Sequence, residues 1–473
     1  MIKCLVESEI SPGIFYVWVW WCKMKTYTVE EGLNLAHGGK IREAAIYFCQ
    51  AVKEEPHNPE LYQRLGELLV ALEEWDHAQA CFRQLLALAP EHAEAYNYMG
   101  VILKRKEYLA EAEACYREAV ELKPDYAEAF HNMGNCLLRQ EKYAEAEAAY
   151  LKAVELQPDL LKARFSLGIY YLLMGQREKG WKWYDARLDW KDSFHMDIPI
   201  WQGESLAGRR ILLFYEQGFG DMLHCLRYVP QIVRQALEVT VWIQEPLARL
   251  LKEMKPAYKV CTSNRQLDAA QFDFACSIFS LPAKLPSLEA AVPYLWAAPK
   301  NREAWYKKLA SVAKGRLKVG VVWAGNPEHS NDANRSSSFA EFRRLFTIPG
   351  VLWVNLQVGE EQKRFKEISD AERVFDTAGE LTDFAETAGV IANLDLVIAV
   401  DTAVAHLAGA MGKPTWLLVP YHPEWRWELK REDCFWYPTM RLFRQTVRGN
   451  WQEVLQRVAV ALAEQVSSTE GRA

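Results

Sequence analysis

The chain has 473 residues, 50% of them hydrophobic and 25% charged, with a formal net charge of −6. That balance predicts a soluble globular protein with sizeable cores in two to four domains, and with Lys and Arg scattered among acids it excludes a basic nucleic-acid-binding block. Ten cysteines (Cys4, Cys22, Cys49, Cys81, Cys115, Cys136, Cys225, Cys261, Cys276 and Cys434) stand singly, with no CxxC and no metal-ligand spacing. They read as reduced thiols of a cytoplasmic protein.

Residues 1–24 are an apolar N-terminal extension in which Ile14 to Trp21 is strongly hydrophobic. The run is too short to span a bilayer and lacks the basic start and small-residue cleavage site of a signal peptide. A nonnative extension ahead of a start near Met24 is expected, without stable membrane insertion; a weak membrane-surface anchor is the alternative.

Over residues 25–194, Gly32, Gly66, Gly100, Gly134 and Gly168 recur every 34 residues. Ala44, Ala78, Ala112 and Ala146 keep the same step, as do Phe48, Phe82, Tyr116, Tyr150 and Tyr184, and Pro56, Pro90, Pro124 and Pro158 close four units. In these columns the sequence resembles the tetratricopeptide repeat, over about five units. A helix pair cannot bury its apolar face alone, so the units should stack into an all-α superhelix with a concave groove. The groove is expected to hold a peptide or protein, with Asn97, Asn132 and Asn135 as candidate holders of its main chain; oligomerisation or rigid spacing is the alternative. The aromatic-rich fifth unit, with Trp181 and Trp183, and Trp201 beyond it, is expected to dock on the next domain.

From Arg210 the pattern changes to short apolar strands separated by amphipathic helices, as in βαβ units. One doubly wound domain is expected over 195–300, with strands near 211–215, 239–243 and 272–276 and a helix over 222–237. A second is expected over 301–465, with strands near 318–323, 352–356, 396–400, 415–419 and 441–445 and a closing helix over 452–463. Residues 466–473 read as a disordered tail. Two such sheets leave a cleft at the carboxyl ends of their strands, where ligands of open α/β sheets bind.

Three loops there carry candidate chemistry. Glu216-Gln217-Gly218-Phe219-Gly220-Asp221 follows the first strand, its glycines permitting close backbone approach and its Asp lying at a helix start, with His224 three residues on. Val400-Asp401-Thr402-Ala403-Val404-Ala405-His406 delivers another helix N-terminus, where Asp401 could accept sugar hydroxyls while backbone N–H groups take phosphate; a helix-capping Asp is the plainer alternative. Trp323-Ala324-Gly325-Asn326 ends a third strand, and Arg335 precedes Ser336. Trp425-Arg426-Trp427 with Trp436-Tyr437 reads as interdomain packing that could instead stack a base or sugar.

The Gly220-Asp221-Met222-Leu223-His224 and Asp401-Thr402-Ala403-Val404-Ala405-His406 orders resemble the heptosyltransferases of glycosyltransferase family 9, across about residues 201–462. The resemblance implies the two-domain GT-B fold, an inverting transferase, Asp221 as catalytic base, and Asn326, Arg335, Asp401, Thr402, Ala403 and His406 on the donor. Gly218, Gly220 and His224 would serve the acceptor or its loop. Ala403 stands where the family has Gly, and Arg335 where its lipopolysaccharide enzymes have Lys, so donor identity does not carry over. No Asp-x-Asp occurs, so no metal is expected, and the nucleotide-sugar enters as substrate with no resident cofactor. The O-linked N-acetylglucosamine transferases also join such repeats to a GT-B domain, with different motifs. The expectation is transfer of a sugar from a nucleotide diphosphate to a protein or glycan chosen by the repeats; the alternative is an inactive, repeat-based scaffold.

Overall fold

The structure, a computed structural model, describes residues 28–189, 196–285, 291–329, 331–368 and 371–470. The expected extension over 1–24 lies outside the described residues. Contacts divide the chain into two units, Met1–Ser166 and Leu167–Ala473. The division falls ahead of the expected boundary after residue 194, because the second helix of the fifth repeat packs with the residues that follow it.

The first unit is built of paired helices: α1 (Val29–His37), α2 (Ile41–Glu54), α3 (Pro59–Ala71), α4 (Trp75–Leu88), α5 (Ala93–Arg105), α6 (Leu109–Leu122), α7 (Ala127–Arg139) and α8 (Tyr143–Leu156), with α9 (Leu161–Leu173) crossing the division. The periodic columns have a direct physical cause. A Cβ added at Gly66, Gly100 or Gly134 would lie 2.7, 2.6 or 2.7 Å from the ring of Phe82, Tyr116 or Tyr150, so the small residue exists to receive the aromatic knob of its own pair. Gly100→Ala, which in an exposed helix would gain about 1 kcal/mol, is therefore expected to cost about 1–3 kcal/mol here by overpacking. A raised urea midpoint for that variant would contradict the account.

A second 34-residue column lies in the turn inside each pair. Glu73, Glu107 and Glu141 adopt φ of 59°, 69° and 60°, where the first and fifth units have Gly39 at 78° and Gly175 at 73°. The turn demands the left-handed region, and three repeats meet it with a residue that pays a steric penalty there.

The asparagines proposed for a groove ligand are engaged within the protein. Asn97 Nδ2 donates to Tyr126 Oη at 3.1 Å and Asn132 Nδ2 to Asn97 Oδ1 at 3.0 Å, while Tyr150 Oη donates to Asn135 Oδ1 at 2.8 Å. His131, 8% exposed, has Nε2 at 3.1 Å from Asn135 Nδ2 and 3.0 Å from Ser166 Oγ. Burial, helped by Lys104 and Lys162, pulls its pKa down to about 4 from 6.5. Falling pH thus protonates the unfolded chain first. The stability held by the neutral ring is whole above about pH 6.5 and lost as pH falls through about 4, on the order of 3 kcal/mol. His131→Gln is expected to flatten this acid loss in denaturation midpoints; equal losses in both proteins would assign it to other groups.

The second unit opens with the end of α9 and α10 (Arg177–Tyr184) and carries two parallel sheets. The first has order β3-β2-β1-β4, from β1 (Arg210–Phe214), β2 (Glu238–Trp242), β3 (Lys259–Cys261) and β4 (Phe274–Ser277). The second has order β10-β9-β8-β5-β6-β7, from β5 (Leu317–Val322), β6 (Val351–Asn355), β7 (Val374–Phe375), β8 (Leu396–Val400), β9 (Thr415–Val419) and β10 (Met440–Arg444). The edge strands β3 and β7, of three and two residues, carry too little pattern to be foreseen. Strand order reverses between β1 and β4 and between β5 and β8, the crevices where α/β sheets bind ligands. The α/β half is thus a GT-B arrangement of two doubly wound lobes.

The expected helix over 222–237 is instead α11 (Phe219–Cys225), a 3₁₀ turn and α12 (Val229–Val233), because Pro230 has no N–H to continue the ladder. The other helices used below are α13 (Glu245–Glu253), α14 (Pro299–Ala313), α15 (Phe384–Ala392), α16 (Ala403–Ala410) and α17 (Trp451–Glu470). The disordered tail expected from 466 is corrected: α17 continues to Glu470, and Val466 extends the buried stripe of Val454, Val458 and Leu462 over the second lobe's core.

Candidate functional site

Both reversal points feed loops into one place. At the end of β1, Gly218 takes an extended conformation (φ −71°, ψ 174°), and its N–H donates to Asp221 Oδ2 at 3.1 Å, so the carboxylate folds back over the first turn of α11. Phe219 is partly exposed and stacks obliquely on Phe384 of α15, with centroids 5.3 Å apart. Gly220 lies where α11 meets α16: a Cβ there would be 2.8 Å from His406 Cδ2 and 3.5 Å from Ala403 Cα. The glycine is needed for this close approach of the lobes, and Ala403 forms its other wall.

From the second lobe, β8 ends at Asp401, whose side chain is 13% exposed. Burial raises its pKa and Asp221 adds to the rise, while Trp427, Arg426 and Arg335 oppose it. The Trp427 indole N–H acts on this carboxylate without a partner in full hydrogen-bond geometry. Thr402 Oγ1 donates to the Val400 carbonyl at 3.3 Å rather than capping its helix; the Ala405 N–H bonds the Thr402 carbonyl at 3.1 Å, and those of Ala403 and Val404 are left without an acceptor in the helix. His406 Nδ1 lies 2.9 Å from Tyr437 Oη, and its Nε2 is 3.8 Å from Asp401 Oδ1. Burial, together with Arg426, Arg227 and Arg335, holds His406 far below its ordinary range, so it sits neutral beside Asp401.

Arg335 rests on the β5 loop. Its Nε is 3.2 Å from Asp332 Oδ1, a Cβ at Gly325 would fall 2.7 Å from its Nη2, and its charge bears on Asp401 and His406. Asn326 is exposed and uses Oδ1 to accept the Glu328 N–H at 3.1 Å, which shapes the loop. His224 is wholly buried, its ring 4.8 Å from Trp436 and 5.9 Å from His406. Its Nδ1 faces Tyr437 and Arg227, and burial lowers its pKa strongly. The structure thus gathers Gly218, Gly220, Asp221, Ala403, His406 and Asp401, puts Arg335 within their electrostatic reach, turns Asn326 to loop structure and packs His224 beneath.

Two arginines here escaped sequence reasoning. Arg426 joins Asp221 Oδ1 at 2.5 Å and Glu424 Oε1 at 2.6 Å, and it also acts on Asp401. Burial works against its charge, but Glu424 and Asp221 more than offset that and hold its pKa well above the ordinary value. Glu424, a third exposed, is pushed up to about 7 chiefly by loss of hydration, Arg426 opposing and Asp401 and Asp221 contributing. Two carboxylates therefore pair with one guanidinium, whose charge also bears on Asp401. Arg187, after α10, donates to Glu216 at the head of the Asp221 loop and to Ser277 at the end of β4. Of the expected docking tryptophans, Trp181 and Trp201 are each 2% exposed; Trp181 packs edge-on against Trp425.

Among the described residues no helix is long and apolar enough to cross a membrane, and no group of three or more His, Cys, Asp or Glu is disposed to hold a metal ion.

Family models for the tetratricopeptide repeat match residues 64–127 and 127–160, and that for glycosyltransferase family 9 (heptosyltransferase) matches residues 339–429. The last match contains Asp401, His406 and Arg426 but not Asp221. Protein FlbA of Caulobacter vibrioides is 29% identical over 334 residues, which is 64% of this chain and 55% of FlbA; the chain thus spans about half of that relative's length. Among solved structures, MamA from Desulfovibrio magneticus is 23% identical and covers 35% of this chain and 94% of its own, with TM-score 0.32. PilW, a type IV pilus biogenesis factor, is 27% identical over 34% of this chain and 76% of its own, with TM-score 0.32. YrrB, described as a TPR protein with an unusual peptide-binding site, is 22% identical over 34% and 83%, with TM-score 0.29.

Proposed function

We propose that this chain, which joins tetratricopeptide repeats to a glycosyltransferase family 9 domain, is an inverting glycosyltransferase using a nucleotide diphosphate-sugar. The observation that carries the reading is the close packing of the Asp221 and Asp401 loops from opposite lobes, Gly220 against His406 and Ala403, with Arg426 paired to Asp221. In the proposed reaction an acceptor hydroxyl gives its proton to Asp221 as its oxygen bonds to the anomeric carbon, and the bond from that carbon to the diphosphate oxygen breaks on the opposite face. Charge gathering on the diphosphate is met by first-turn N–H groups of α16 and by Arg335, without a metal in this scheme. Asp401 accepts donor hydroxyls. The repeats select the acceptor, a protein or a glycan, and the eight described cysteines, none placed in a disulfide, suit a cytoplasmic setting.

The scaffold reading has one specific observation behind it: both oxygens of Asp221 are already engaged, by Gly218 and Arg426. A thermal-shift screen with nucleoside diphosphates, followed by turnover of the matching nucleotide-sugars, decides between the two. A cognate nucleotide at about 100 times its Kd should stabilise the fold by about 2.7 kcal/mol. No shift with any nucleotide and no turnover above that of Asp221→Asn would favour the scaffold.

A further inference from the structure

Arg426 is held more firmly than an ordinary ion-pair partner. Its side chain is 4% exposed and its Cζ lies 4.2 Å from the Trp425 ring centre. Trp425 is in turn fixed edge-on by Trp181 and Trp436, at 5.3 and 6.0 Å. Nη1 donates to Glu424, on its own turn, and Nη2 to Asp221, on the other lobe, whereas the buried Nε has no acceptor. An orphaned buried donor is destabilising, and buried ion pairs are a weak source of stability. An arginine kept for stability alone would not leave Nε unused while it reaches across the lobe boundary.

We propose that Arg426 is a positioning residue that fixes the carboxylate of Asp221 from the opposite lobe, so that the base is aimed only while the lobes are closed. The inference rests on the reading of Asp221 as the base. Its Oδ2 is tied to the Gly218 N–H within its own loop and its Oδ1 to Arg426. Anchors on both oxygens set the carboxylate plane and still leave each oxygen a lone pair for the acceptor hydroxyl. With the lobes apart only the Gly218 bond remains, and a single bond lets the carboxylate rotate. The contact of Gly220 with His406 and Ala403 sets how closely the lobes approach, and Glu424 keeps the guanidinium in place when Asp221 leaves it.

The test uses the full chain carrying Arg426→Gln and Arg426→Lys, each with and without Asp221→Asn. Removing the guanidinium leaves Asp221 and Glu424 without their shared cation, so Arg426→Gln should lower Tm, and adding Asp221→Asn should raise it again by about 2–4 °C. With the nucleotide-sugar found in the screen, Arg426→Gln should lower kcat about 10- to 100-fold, a larger change than in donor KM, and Asp221→Asn should cost far less in that background than alone. Arg426→Lys, which restores charge but not the fork, should recover Tm more than kcat. Unchanged kcat in Arg426→Gln, or no Tm recovery on adding Asp221→Asn, overturns the inference. If wild type turns over no nucleotide-sugar, the transferase reading fails, and the Tm comparison alone still decides whether Arg426 holds Asp221.

Discussion

Asp221→Asn is expected to lower transfer by about 10²–10⁴-fold, the range for loss of a positioned general base, while the chain stays folded and donor affinity is kept. The amide matches the carboxylate in size and can still accept the Gly218 N–H that now ends on Oδ2 at 3.1 Å. Arg426 keeps Glu424 at 2.6 Å, so no buried cation is left alone. Donor contacts proposed for Asp401, Thr402 and Arg335 come from the other lobe, so the loss should fall on kcat and not on donor KM. Steady-state kinetics on the nucleotide-sugar identified by thermal shift reads this directly. A variant as fast as wild type would remove Asp221 from the chemistry and leave Glu424, pushed up to about 7, as the next carboxylate to test.

What could be read from the sequence is what is local or periodic. The 34-residue columns are legible because each Gly–aromatic contact lies within one helix pair, Gly66 on Phe82 for instance. The Asp401 loop is legible because a buried strand ends at an acid and small residues follow. The left-handed column at Glu73, Glu107 and Glu141 was hidden, since glutamate carries no signal for positive φ. The stripe of α17 does run on to Val466, but the Ser467-Ser468-Thr469 that follow look like the start of a tail. Pairing across the fold left no trace at all: Arg426 meets Asp221 from 205 residues away, and between two tryptophans it reads as part of an aromatic patch. Asn97, Asn132 and Asn135 illustrate the same limit from the other side, since the sequence does not show that each is also tied by a hydrogen bond within the repeats.

Arg187→Met is expected to cost about 3–5 kcal/mol, the range for removing one partner of a buried charge network. The Arg187 side chain is 4% exposed, with Nε and Nη2 on Glu216 Oε1 at 3.1 and 2.6 Å, Nη1 on Asp185 Oδ1 at 2.8 Å, and Nη2 also 3.2 Å from Ser277 and Ser280. Methionine fills much of the volume but supplies no donor, so Glu216 is left with Ser277 and Asp185 with Ser280 and Lys284. The consequence is specific as well as global, because Glu216 begins the loop that ends at Asp221. Hydrogen exchange in β1 and α11 should therefore quicken more than in β8 and α16, and transfer should fall at temperatures where the second lobe is still folded. Arg187→Lys should recover only part of the loss, since one ammonium cannot serve Glu216, Asp185 and Ser277 at the angles the guanidinium does. An unfolding midpoint unchanged in Arg187→Met would show that the network is solvated and that the Asp221 loop takes its shape from Gly218 and Arg426 instead.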